Sequence, residues 1–187
     1  MTTPAPSPST ESIQVILVDE DDREVGLAEK WEAHRGGALH RAFSVFVFDA
    51  AGRVLLQRRA IGKYHSGGLW SNTCCGHPLP GESVAGGARR RLREEMGIDV
   101  ALSPAARFTY RAELEGGMVE HEIDHVLTGT WSGTPSPDPA EVEGWRWASP
   151  AEVEREMDDE PGRFTAWFPL AWRELAPTEG PASREGG

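Results

Sequence analysis

No run of apolar residues in this 187-residue chain approaches the roughly 20 that a membrane-spanning helix needs. Cysteine is scarce as well. The only two, Cys74 and Cys75, are adjacent, which argues against a disulfide framework and suits free thiols in a reducing cytosol. A cytoplasmic location is expected on that ground. Positive charge is in deficit: 19 Lys and Arg stand against 30 Asp and Glu, a formal net charge of -11. So acidic a chain repels nucleic acid and anionic membrane surfaces, and neither is expected as a partner. It repels a phosphorylated ligand too, so any such site must gather local cations or metal. No internal repeat is visible, and residues 1–12, rich in Pro, Ser and Thr, lack the apolar centre of a secretory signal.

What is present suits one globular domain. Hydrophobic residues make up 39% of the chain, enough to build a core at this length. Residues 1–12 and 176–187 are poor in apolar side chains and read as disordered tails, leaving a domain over 13–175. Ile13 to Val18 reads as a strand that ends in an acidic turn, and Leu27 to His34 as a short helix. His40 to Phe48, Asp49 to Gly52 and Arg53 to Arg59 read as strand, turn and returning strand, a β-hairpin. Ala60 to Pro80 has no periodicity and reads as a long functional loop. Ser83 caps a helix that runs to Met96 and stops at Gly97. Strands follow at Arg107 to Glu113, Val119 to Trp131 and Glu143 to Ala148, then helices at Pro150 to Met157 and Thr165 to Leu175. Strands interrupted by helices in this order predict an α+β or α/β class, with a mixed sheet sandwiched by helices.

Three groups of residues point to chemistry. A glycine loop, Gly76 to Glu82, leads into a helix carrying Arg90, Arg91, Glu94 and Glu95. Oxygen ligands so arranged can hold Mg²⁺ against a phosphate, although a charge run more often marks a wet helix face and Arg91–Glu95 a weak i,i+4 pair. Cys75 precedes His77 by two residues, a plausible acid/base pair, whereas Cys74 reads as a small buried hydrophobe. Glu120 and Glu122 share one face of their strand by alternation, and with His34, His40 and His77 they would suit a borderline metal ion. His121 and His125 face the other way and read as structural. Asp124 shares the Glu122 face, as a buried partner or a solvated strand residue.

The spacing of Gly76, Glu82, Arg90, Leu92, Glu94, Glu95, Gly97 and Ile98 resembles the Nudix box, with Arg91 standing where the box has Glu. Around it, Asn72-Thr-Cys-Cys-Gly-His-Pro78 resembles the signature of type I isopentenyl-diphosphate isomerases. The segments Ala28 to His34, Leu39 to Ser44, Gln57 to Arg59 with Lys63, Glu120 to Glu122, and Thr165 to Trp167 resemble further motifs of that family, with Ala166 in place of its Pro. The resemblance covers roughly 13–175 and implies a Nudix fold in a single domain. It implies isomerisation of isopentenyl diphosphate to dimethylallyl diphosphate through a tertiary carbocation, with Cys75 and Glu122 as the acid/base pair. Tyr110 would orient Glu122, and Trp167 would face the cation. It gives Lys30, Arg59, Lys63 and Arg91 to the diphosphate. It also gives Mg²⁺ at Glu95, and a second divalent ion (Mn²⁺, Zn²⁺ or Mg²⁺) at His34, His40, His77, Glu120 and Glu122. The protein would act on its small-molecule substrate as a monomer. Of two competing expectations, the more distant is a catalytically inactive binding module on the same scaffold and the nearer is a Nudix diphosphate hydrolase. It calls for an intact box, which Arg91 contradicts, and it leaves Cys75 without a task.

Overall fold

The structure, a computed structural model, describes residues 13–175 apart from Tyr64, so both expected tails lie outside the described residues. In chain order the elements are β1 (Gln14–Val18), β2 (Glu24–Glu29), α1 (Lys30–Gly36), β3 (His40–Phe48), β4 (Val54–Arg59), β5 (Trp70–Ser71), β6 (Cys74–Gly76) and α2 (Val84–Met96). They continue with β7 (Ser103–Glu113), β8 (Val119–Thr130), β9 (Val142–Ala148), α3 (Pro150–Asp159) and α4 (Phe168–Leu175).

β3 is the hub of the sheet. It pairs antiparallel with β1, β4 and β6, and parallel with β8 from His40↔Glu122 to Phe48↔Thr130. The sheet is therefore mixed, as the order of strands and helices implies. Strand alternation turns the residues of β3 to two different cores. Phe43, Val45 and Val47 pack with Ala88, Leu92 and Met96 of α2. Phe46 points the opposite way, to Val153 of α3 and to Phe168, Ala171 and Trp172 of α4. Burying each such Leu or Phe contributes roughly 1.5–3 kcal/mol, so helices on both faces lock the sheet between them.

The hairpin expected at Asp49 to Gly52 exists only at its base. The β3–β4 ladder is confined to Phe48↔Val54. Beyond that point β4 turns away to pair with β9 and β5, while β3 pairs with β8 and β6. Each strand is better satisfied by a distant partner, which local turn chemistry does not encode. Leu27 to Glu29, expected to be helical, instead extends β2 in register with β1, and the helix begins at Lys30. The long loop after Ala60 contains the two short strands β5 and β6, and Thr165 to Trp167 precedes α4 rather than forming part of it.

Helix α2 does follow its local signals. The Ser83 hydroxyl accepts from Gly86 N at 3.1 Å, satisfying an N-terminal amide. Gly97 closes the helix at φ 67°, and a Cβ there would lie 2.7 Å from the Ser136 carbonyl oxygen. Glycine is thus required twice over, by conformation and by space. Ser149 and Glu152 form a complete capping box at α3.

Candidate active site

Residues paired in register point to the same side of a sheet. Since Ser44 lies opposite Cys75 on β6, and His40 opposite Glu122 on β8, one face of β3 gathers Cys75, Ser44, His40, Glu122 and Asp124. β7 adds Tyr110, which pairs with Glu122. Cys74 alternates to the other face and is sealed in the core beside Phe43 and Leu92.

Four side chains converge at the centre. One ligand atom each from His34, His40, His77 and Glu122 lies within 4.8 Å of the other three. His40 Nε2 is 3.2 Å from His77 Nε2, and these nitrogens approach Glu122 Oε1 to 3.3 and 2.9 Å. Helix α1 delivers His34 fully buried, with Nδ1 2.6 Å from the Lys30 carbonyl oxygen. His40 Nδ1 faces the Ala38 carbonyl oxygen at 2.8 Å. A ring nitrogen against a carbonyl donates its proton there, and in a neutral imidazole that arrangement leaves the lone pair on Nε2. Burial, the largest cause, holds His34 down to about 4 and His77 to about 3, so both are neutral at physiological pH. Neutral imidazoles with oriented Nε2 atoms and a buried carboxylate suit a divalent cation.

Glu120 stands beside this group. Its carboxylate faces His65 Nε2 at 3.6 Å and shares the Tyr110 hydroxyl with Glu122; Tyr110 lies 3.0 Å from Glu120 Oε2 and 2.6 Å from Glu122 Oε2. The two carboxyls differ in charge. Burial and repulsion from Glu122 push Glu120 up to about 8. Burial also opposes ionisation of Glu122, but the contacts with His40 and His77 outweigh it and hold that carboxyl well below the usual range. Asp124 is buried rather than solvated. It accepts from the Ser44 hydroxyl at 2.7 Å, and burial followed by repulsion from Glu122 pushes it to about 8.

On the β6 side, burial raises the Cys75 thiol to about 12 against the pull of Arg59, so it rests protonated. Arg59 Nη1 lies 3.9 Å from Cys75 Sγ, and its guanidinium carbon sits 5.3 Å from the Trp167 ring centroid. Arg59 is itself buried, and its Nε finds no acceptor among the described residues, as in a cradle built for an anion. Trp167 is anchored through Nε1 to Asn72 Oδ1 at 3.2 Å and meets His65 edge-on at a centroid distance of 5.9 Å.

The box residues divide into two uses. Glu82 receives Arg90 Nε and Nη2 at 3.0 Å each and Leu79 N at 2.9 Å, bracing the loop against α2. Glu95 is buried, accepts from Gln57 Nε2 at 3.0 Å and pairs with Arg91, so that pair is not the surface contact its spacing suggests. Lys63 and Arg91 both reach Glu141. Lys30 begins α1, and its charge disfavours protonation of His34 and His77, which places it beside the cluster. His121 meets the Gly37 carbonyl oxygen, and His125 meets Asp22, both apart from this group. Sequence reasoning passed over His65, Gln57, Ser44 and Glu141. Ser44, Gln57 and Asn72 lay within recognised motifs, although no role was drawn for them, and nothing local marked His65 or Glu141.

The NUDIX domain matches residues 38–168 of this chain. An 18% identical protein of Deinococcus radiodurans superposes with a TM-score of 0.72 over 88% of this chain and 99% of its own. The MutT protein from Methanosarcina mazei gives 0.60 at 20% identity, covering 73% and 92% of the two chains. Fold and box together define a Nudix protein. The isopentenyl-diphosphate Delta-isomerase of Burkholderia multivorans is 56% identical over 155 residues, covering 83% of this chain and 88% of its own. The namesake from Serratia proteamaculans is 46% identical over 165 residues, 88% and 92% of the two chains. The chain belongs to the isopentenyl-diphosphate Delta-isomerase family within the Nudix fold.

Proposed function

We infer that this chain interconverts isopentenyl and dimethylallyl diphosphate by moving protons at carbon. The observation that carries the reading is the strand arrangement: β6 and β8 flank β3 and turn Cys75 and Glu122 to one face. Isomerisation adds a proton at the terminal alkene carbon, giving a tertiary cation, and removes one from the carbon on its other side. Cys75 rests as a thiol and Glu122 as a carboxylate, so the pair begins with one proton to give and one place to receive it. The reverse reaction exchanges the roles. Tyr110 holds the carboxylate in place from the opposite strand. The Trp167 face already attracts the Arg59 guanidinium, which supports its use against a substrate cation. Lys30, Arg59, Lys63 and Arg91 would grip the diphosphate and offset the chain's negative field. Burial of the pocket keeps water from capturing the cation.

His34, His40, His77 and Glu122, with Glu120 beside them, would hold a divalent ion (Mn²⁺, Zn²⁺ or Mg²⁺), and Glu95 would hold Mg²⁺ that joins the diphosphate to the protein. Such ions supply positive charge that orients carboxylates and phosphate oxygens. Because four ligand atoms converge without Glu120, His77→Ala and Glu122→Gln should lose the tighter ion more completely than Glu120→Gln. Elemental analysis after dialysis checks this, and undiminished metal in His77→Ala would refute the cluster.

Arg91 stands where the box has Glu and sits among Glu94, Glu95 and Glu141, so the site has a cation where a hydrolase would use a further carboxylate to gather metal for water activation. Wild-type protein with isopentenyl diphosphate and Mg²⁺ should therefore yield the allylic isomer with no phosphate or pyrophosphate released. In heavy water the product should carry deuterium, since the protons pass through exchangeable side chains. Phosphate release without allylic product would establish a hydrolase instead.

A further inference from the structure

Lys63 and Arg91 come from unrelated segments, the loop after β4 and helix α2, yet one carboxylate joins them. Glu141 Oε2 forms a short ion pair with Lys63 Nζ, and Oε1 lies 3.3 Å from Arg91 Nη2. The backbone that carries Glu141 is tied to both segments. Ser136 N donates to the Met96 carbonyl oxygen and Asp138 N to that of Glu95, each at 3.0 Å, fixing the β8–β9 loop to the last turn of α2. Ala60 N donates to the Glu141 carbonyl oxygen at 3.0 Å, fixing it to the end of β4. The carboxylate is thus delivered by a braced loop, not by a free surface side chain.

The cations it joins repel one another. Burial makes Lys63 easier to deprotonate, and although Glu95 opposes this, Arg59, Lys30 and Arg91 all act in the same direction as burial. Without a counterion, like charges on long side chains splay apart. The side chains of Lys63, Glu141 and Arg91 are 22–24% exposed, open enough to meet a ligand and shielded enough for geometry to matter.

We propose that Glu141 is a positioning residue for the diphosphate, holding Lys63 and Arg91 convergent so that they meet the anion already arranged, although its own charge repels that anion. The inference rests on the isomerase reading and adds a determinant of substrate holding to the same site. Preorganised donors bind more tightly because less ordering remains to be done on association.

The two effects of Glu141 have opposite signs, and that decides the test. Field alone predicts that removing a negative charge tightens binding of a diphosphate. Positioning predicts the reverse. For Glu141→Gln we expect KM for isopentenyl diphosphate to rise about five- to tenfold, with a smaller change in kcat, and the Kd of inorganic pyrophosphate with Mg²⁺, measured by calorimetry, to rise in parallel. Glu141→Asp keeps the charge on a shorter arm and should recover part of the loss. Glu143→Gln removes an equal charge two positions along, where the carboxylate pairs with Arg58 at 3.5 Å, and it reports the field effect separately. It should leave both constants unchanged or slightly lower. Constants unchanged or lowered in Glu141→Gln would overturn the inference. Failure of the wild-type protein to form the allylic isomer would overturn the isomerase reading instead, and the pyrophosphate titration would still decide what Glu141 does.

Discussion

Replacing Cys75 with alanine should lower kcat/KM for isomerisation by ~10³-fold or more, while replacing Cys74 should leave most of it. General acid/base groups contribute typically ~10²–10⁴ in rate, and a thiol with no substitute donor at its position lies towards the upper end. A loss of ~10³ corresponds to about 4 kcal/mol of transition-state stabilisation. The two cysteines are neighbours in sequence, yet the strand turns them to opposite faces. Cys74 is fully buried among Phe43, Val45 and Leu92, so its truncation acts on stability, by about 1 kcal/mol, through a small cavity. Cys75 belongs to the site face and contributes little to the core. Kinetics and thermal unfolding of both variants separate the effects. Equal kinetic loss in both would remove Cys75 from its role.

Glu122→Gln should be comparably severe and should fail for two reasons at once. The amide cannot cycle a proton, and it presents no anion to His40, His77 or a cation between them. A loss of ~10³-fold or more in kcat/KM is expected, together with weaker binding of a divalent ion by the cluster of His34, His40, His77 and Glu122. Tyr110→Phe provides the graded comparison. It deletes a donor that lies 2.6 Å from Glu122 and 3.0 Å from Glu120 without touching Oε1, the oxygen of Glu122 that faces His40 and His77. Hydrogen bonds to charged groups are worth about 1.5–3 kcal/mol, so a roughly 10- to 100-fold loss with metal retained is the expected outcome. If Glu122→Gln kept its metal and lost no more activity than Tyr110→Phe, the carboxylate would be a bystander.

Much was legible along the chain because its physical cause is local. Ser83 and Gly97 bracket α2 through capping and left-handed backbone, both short-range effects, and the structure places that helix within a residue of its expected ends. The alternation that separates Glu120, Glu122 and Asp124 from His121 and His125 is likewise a property of one strand. The ordered motifs around Cys75, His77 and the box carried the family resemblance, and similarity over most of the chain bears it out.

Tertiary structure decided what depends on pairing between distant segments. The extension of β2 to Glu29 comes from its register with β1, which overrode a helical reading of Leu27 to Glu29. The parting of β3 from β4 follows from ladders to β8 and β9, more than 80 positions away in sequence. That same parallel ladder sets His40 beside Glu122 and so brings together the cluster of His34, His40, His77 and Glu122, and it leaves Glu120 to Tyr110 and His65. Glu141 reaches Lys63 and Arg91 only because its loop is hydrogen-bonded to the end of α2. The sequence by itself determined the family and the candidate side chains, since residue type, ordered motifs and local spacing fix what each group can offer and the face of its strand or helix it occupies. Which of those groups meet, and which carboxylate stands charged beside a protonated neighbour, was decided by strand register and burial, which exist only once the chain has folded.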